Sequence, residues 1–159
     1  MTDAKFRRLY LVRHGEAKPE EEDPERGLTE AGHSNVRRMV RWVATSGIRV
    51  DEIRHSGKLR AQQTAEVFAE ALGTQAQAVS GLAPKDDVAS IVTGIKSEDG
   101  DIMLVGHLPF LERLAALLTA GDADASHVAL DAGALLELTL ADDDWRVTCL
   151  MQPRLLPST

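Results

Sequence analysis

The sequence predicts an α/β fold, built on a mostly parallel sheet with helices on both faces and an antiparallel strand pair near the C-terminus. Three observations carry this. Strand-like and helix-like segments alternate over the first two thirds of the chain, the order that parallel strands with helical crossovers require. Leu9–Val12 and Ile102–Val105 are apolar throughout, as strands covered on both faces are. The last third changes character: Ala134–Leu140 and Trp145–Met151 read as strands joined by the short polar Asp142-Asp143-Asp144, a hairpin signal.

The elements follow in order. Leu9–Val12 is the first strand. Thr29 is a suitable N-cap for a helix that carries Val36, Met39, Val40 and Val43 at spacings of three and four, with Gly47 at its end. A strand over Glu52–His55 is signalled only by Ile53. Lys58–Leu72 reads as a helix closed by Gly73, with Leu59, Val67, Phe68, Ala71 and Leu72 as core candidates. Asp87–Ile95 is a shorter helix with Val88, Ile91, Val92 and Ile95 on one face. Ile102–Val105 is a strand, and Pro109 suits the first turn of a helix to about Leu118.

The 159 residues fit one domain, residues 1–159, and 43% of them are hydrophobic, enough for a core without metal or disulfide help. Cys149 is the single cysteine, which fits a reducing compartment. Met1–Arg8 is polar and charged, unlike a signal peptide, and the apolar runs are far short of the ~20 residues a membrane span needs. A cytoplasmic protein without membrane attachment is expected. The net charge of -7 argues against general nucleic-acid binding, yet arginines focused in one cleft still hold an anion. The acidic run Glu20–Asp23 reads as a solvated loop.

Three segments share one layout, in which a strand ends, polar residues follow and a helix begins soon after. They are Arg13-His14-Gly15, Ser56-Gly57-Lys58-Leu59-Arg60 and Gly106-His107. Ligands of open α/β sheets bind outside the carboxyl ends of the strands. If the three strands are parallel neighbours, Arg13, His14, Arg60 and His107 meet at one edge, with two helix N-termini aimed at it. Two histidines and two arginines suit phosphoryl transfer: a neutral imidazole attacks phosphorus, and guanidinium groups bind phosphate oxygens in pairs and stay charged. No carboxylate cluster suited to Mg²⁺ accompanies them, so the arginines and His107 would supply the positive charge.

These residues have a wider resemblance. Leu11-Val12-Arg13-His14-Gly15-Glu16-Ala17 resembles the signature of the histidine phosphatase superfamily, which includes phosphoglycerate mutases. Leu28-Thr29-Glu30-Ala31-Gly32, Ser56-Gly57-Lys58-Leu59-Arg60-Ala61-Gln62-Gln63-Thr64 and Gly106-His107-Leu108-Pro109 resemble the motifs of its small SixA-type branch, the phosphohistidine phosphatases. The resemblance runs in order from about Leu9 to Leu118. It implies a phosphoglycerate mutase-like fold, a three-layer α/β/α sandwich around a mostly parallel mixed sheet. It implies that His14 is the nucleophile and becomes phosphorylated, and that Arg13, Arg60 and His107 grip the phosphoryl oxygens without metal or cofactor. Gly15 and Ser56 join the substrate-binding set. Arg26 stands where relatives often carry arginine, for phosphate contact or a loop salt bridge. For the general acid, Asp87 is the first candidate, with helix N-capping as its other reading, and Glu16 is the second.

Two positions depart from the pattern: Gly57 stands in place of proline, and His55 in place of an apolar residue, where a structural or exposed role is expected. His33 and His127 match no motif and are expected at the surface. The implied substrate is a phosphorylated histidine on a partner protein of a signalling or transport system, since no long insertion walls in the site. Two alternatives stay open: a phosphatase of small phosphate monoesters, and a phosphate- or phosphoprotein-binding module without catalysis.

Overall fold

The computed structural model describes residues 6–97 and 100–158. Of the polar stretch read over Met1–Arg8, residues 1–5 lie outside the described residues. The order of elements is β1 (Arg7–Arg13), α1 (Glu30–Thr45), β2 (Glu52–His55), α2 (Leu59–Leu72), β3 (Ala76–Ala78), α3 (Val88–Ser97), β4 (Ile102–Gly106), α4 (Phe110–Ala120), β5 (Leu135–Ala141) and β6 (Asp144–Met151). One six-stranded sheet has the order β3-β2-β4-β1-β5-β6. β3, β2, β4 and β1 run parallel, while β5 and β6 are antiparallel additions beside β1.

Alternation along the central strands divides the core in two. Leu9, Leu11, Ile102 and Leu104 face α3 and α4, packing with Val88, Ile95, Phe110, Leu111 and Leu114. Tyr10, Val12, Met103 and Val105 face α1 and α2, packing with Val36, Met39, Val40, Val43 and Phe68. The three-layer α/β/α arrangement is therefore present. Thr29 caps α1 by accepting from the Gly32 N–H at 2.9 Å. α2 ends at Gly73 in the left-handed conformation. No helix among the described residues is long and apolar enough to cross a membrane.

Three details differ from the sequence reading. β3 is an additional edge strand; its Ala-Gln-Ala sequence has no strand signal, and among the described residues it pairs with β2 alone. The inner face of α2 is made of Ala61, Thr64, Ala65, Phe68 and Ala69, while Leu59 is half-buried and Ala71 exposed. Small side chains let this helix lie close to the sheet and to α1, so residue size misidentified its buried face. The hairpin connection is two residues, not three: Asp142 and Asp143 both adopt positive φ (53° and 66°), and Asp144 already pairs with Ala141. Two left-handed residues match the twist of the flanking strands.

Candidate active site

The conditional part of the sequence argument is met: β2, β4 and β1 are parallel neighbours, in register from Glu52 and Leu9 against Ile102 to His55 against Val105 and Arg13 against Gly106. Their polar extensions therefore leave the sheet at one edge. The His14 N–H donates to Gly106 O at 3.0 Å, carrying the β1–β4 ladder one residue further. That places the two imidazoles side by side, with ring centroids 5.0 Å apart at a 54° tilt.

His14 is only 9% exposed. Its Nδ1 lies 2.7 Å from Gly15 O, and since a carbonyl only accepts, Nδ1 carries the proton. Nε2 of a neutral ring then keeps its lone pair. Burial pushes the His14 pKa down to about 4; the charges of Arg60, Arg13 and Arg26 push the same way, and the bond to Gly15 O opposes them. The ring is therefore neutral at pH 7. Gly15 in turn donates to Thr64 Oγ1 at 3.0 Å, and Thr64 donates to Arg60 O at 2.8 Å, so the nucleophile loop is tied to the first turns of α2. Close packing holds it from the other side: a Cβ at Gly32 would stand 2.2 Å from Glu16 O, closer than any side chain allows.

His107 is buried at 1% exposure, and its pKa is pushed down to about 3, first by burial and then by charge on His14, Arg60, Lys58 and Arg26. Its Nε2 is 2.6 Å from Ser56 Oγ, and Ser56 Oγ accepts from Lys58 N at 3.3 Å. Its Nδ1 is buried and has no hydrogen-bond partner among the described residues, and the same holds for Arg13 Nε and Arg60 Nε. Buried polar atoms are rarely left unpaired. Three such atoms at one strand edge fit an anion with several acceptor oxygens. Burial, then the charge of Arg26, lowers the Arg60 pKa.

Arg13 is braced by its Nη1, which donates to Leu130 O at 2.7 Å. Leu130 belongs to a loop pinned at both ends of its own backbone: Leu130 N donates to Glu112, Asp131 N to Gln152 Oε1, and Gln152 Nε2 to Ala129 O. Arg26 arrives on the β1–α1 loop, which is closed by an Ala17–Leu28 bridge and by Lys18 N to Gly27 O at 2.9 Å. Asp23 orders the loop by accepting from Glu25 N and Gly27 N. Arg26 has φ 52° and donates through Nε to Lys18 O, and its charge is felt at His14, Arg60 and His107.

Other candidates sit differently. Asp87 is exposed, and its Oδ1 accepts from Ala89 N at 3.0 Å, the N-cap placement for α3. Glu16 is exposed and accepts from Thr29 Oγ1 at 3.1 Å. Gly15 and Ser56 were expected to touch substrate. In the structure both polar groups of Gly15 are engaged by Thr64 and His14, and the Ser56 hydroxyl is engaged by His107 and Lys58. Each acts on a histidine. His55 is buried and not exposed, with its Nδ1 accepting from Gly57 N at 3.1 Å. His33 is half-buried and His127 exposed. Sequence reasoning missed the supports of the site: Thr64 Oγ1, Leu130 O, Glu112 and Gln152. Only Thr64, inside a quoted motif, carried a signal.

A family model described as the histidine phosphatase superfamily (branch 1) matches residues 9–84. An uncharacterized protein of Picosynechococcus sp. is 33% identical over 121 residues, covering 71% of this chain and 73% of that protein. The chain belongs to the histidine phosphatase superfamily and is a phosphatase by class. Within it the chain is SixA-like. The phosphohistidine phosphatase SixA of Escherichia coli K12 is 26% identical over 121 residues, covering 72% of this chain and 75% of SixA. A solved structure of the protein histidine phosphatase SixA with tungstate superposes with a TM-score of 0.81 at 24% identity, covering 92% of this chain and 97% of that one.

Proposed function

We propose that the protein removes the phosphoryl group from a phosphorylated histidine on a partner protein, through a phosphohistidine formed at His14. The observation that carries this is the state of His14: a ring held neutral by burial, its Nδ1 donating to Gly15 O so that Nε2 keeps its lone pair, standing beside the His107 ring and within the field of Arg60, Arg13 and Arg26. In the first step the Nε2 lone pair forms a bond to phosphorus as the P–N bond of the substrate breaks. The departing imidazole nitrogen takes a proton from solvent water. In the second step a water oxygen attacks phosphorus, the N–P bond to His14 breaks, and inorganic phosphate leaves with the proton the water gave up.

Arg13 Nε, Arg60 Nε and His107 Nδ1 are the donors for the equatorial oxygens, where charge accumulates in the transition state. His107 donates from Nδ1 when Ser56, already accepting from Lys58 N, donates its hydroxyl hydrogen bond to Nε2. Arg26 adds charge from its loop. These groups supply the positive charge themselves, so the reading requires no metal. That a SixA structure is complexed with tungstate, a tetrahedral oxyanion, supports an oxyanion as the kind of ligand. The substrate class is supported by the acid: one oxygen of Asp87 accepts from Ala89 N and one of Glu16 from Thr29 Oγ1, and a leaving imidazole, unlike an alkoxide, needs no strong acid.

The test compares wild type with His14→Ala on a phosphohistidine protein and on a panel of phosphate monoesters. Wild type should prefer the former and show a brief acid-labile, base-stable label. His14→Ala should lose turnover on every substrate, by about 10³-fold or more. An active His14→Ala removes the mechanism. A strong preference for one monoester removes the substrate class, and anion binding without any turnover leaves a binding module.

A further inference from the structure

The two departures from the family motif, His55 and Gly57, are partners in one hydrogen bond. His55 is the last residue of β2, with Val105 of β4 and Ala78 of β3 as its neighbours in register, and is 5% exposed. Its Nδ1 accepts from Gly57 N at 3.1 Å, across Ser56. Gly57 has φ +90°, a conformation that proline, locked near -65°, does not reach, and proline has no N–H to give. Between them, Ser56 aims its hydroxyl at His107 Nε2, 2.6 Å away, and receives Lys58 N.

We infer that His55 is a positioning residue for His107: by accepting from Gly57 N it fixes the Ser56–Gly57 turn, and the turn fixes the Ser56 hydroxyl that orients and polarises the His107 ring. The inference rests on the role of His107 proposed above. Only an unprotonated Nδ1 accepts, so His55 must be the neutral Nε2–H form. Its burial, opposed by the charge of Glu66, lowers its pKa and keeps it there. The short reach of the device suits its purpose. A glycine is free to leave a given backbone conformation, and here it lies one residue from the hydroxyl that orients the His107 ring.

The experiment measures kcat, KM and thermal midpoint on folded protein for His55→Leu, which removes the acceptor, and His55→Asn, whose Oδ1 replaces Nδ1. His55→Leu should lower kcat by about tenfold with KM changed by less than about twofold. His55→Asn should recover most of kcat. In a Ser56→Ala background the same His55→Leu change should cost less than about twofold, because both act through one ring. Unchanged kcat in His55→Leu, no recovery in His55→Asn, or costs that multiply in the double variant would each overturn the inference. If His55→Leu does not fold, nitrogen NMR of the wild type decides: His55 must be the Nε2–H tautomer at pH 7, and a protonated Nδ1 overturns the inference. His14→Ala runs in parallel. Activity there defeats the parent mechanism, whereas an inert His14→Ala beside a fully active His55→Leu defeats only this inference.

Discussion

At the scale of single residues, the site stores its readiness as a proton it does not carry. An isolated histidine titrates near pH 6.5; His14 is pushed to about 4 and His107 to about 3, burial being the main cause in both. The nucleophile is therefore available well below neutrality, and the cost falls on stability in acid. Between roughly pH 6.5 and 4 the unfolded chain binds protons at these two positions and the folded chain does not, so stability rises with pH through that window and falls as acid is added. Each such proton contributes a slope of up to about 1.4 kcal/mol per pH unit. Urea unfolding at pH 7, 5.5 and 4.5 should show wild type losing stability faster than His14→Gln, by about the slope of one proton. Parallel lines for the two proteins would mean that the His14 ring is not desolvated. A bound oxyanion reverses part of the shift, since its charge favours the imidazolium, so added tungstate should reduce the acid sensitivity of the wild type.

At the scale of elements, the contact between the start of α1 and the nucleophile loop is the one with least slack. Thr29→Ala removes the cap on Gly32 N and should cost about 1 kcal/mol, with little change in kcat. Gly32→Ala gains helix propensity, up to about 1 kcal/mol, yet drives a methyl into the Glu16 carbonyl at 2.2 Å. It should be the more damaging change, by about 2 kcal/mol or more, and it should also lower kcat, because Glu16 follows His14 and Gly15 directly. A Gly32→Ala protein as stable and active as Thr29→Ala would show that the loop yields freely. Most elements were legible because their signal was local. The stripe Val36, Met39, Val40 and Val43 is buried as its spacing predicts, and Glu52–His55 is a strand with those bounds despite a single apolar residue. What was illegible depended on neighbours. β3 exists because β2 offers an edge, and the face of α2 is set by how close it lies to α1. The brace on Arg13 comes from an irregular loop whose only chemistry is a carbonyl. Arg13, His14 and His107 stand out in sequence because they sit where apolar strands stop, and Arg60 because it lies in a motif, whereas their supports do not, because a threonine hydroxyl or a glutamine amide looks the same at any surface.

At the scale of the whole molecule, a net charge of -7 surrounds a strand edge that gathers Arg13, Arg26, Lys58 and Arg60. A dianionic phosphate is repelled at long range and attracted at short range, and salt decides where one regime gives way to the other. Screening acts over about 8 Å at physiological ionic strength and about 30 Å at 0.01 M. An acidic stretch lies on the β1–α1 loop that carries Arg26, where exposed Glu20, Glu21, Glu22 and Glu25 precede it. These carboxylates are exposed, whereas the donors at the strand edge are buried, so salt screens the loop far more than the pocket. Replacing Glu20, Glu21 and Glu22 by glutamine should therefore raise kcat/KM for a small dianionic monoester at low salt, by about two- to fivefold, through faster encounter. The gain should vanish near 0.5 M salt, where wild type and variant converge. Equal kcat/KM at low salt would place the loop's field outside the approach path. A gain that survives high salt would mean that the glutamates act by contact, on Arg26 or on the loop's shape, and not through their field.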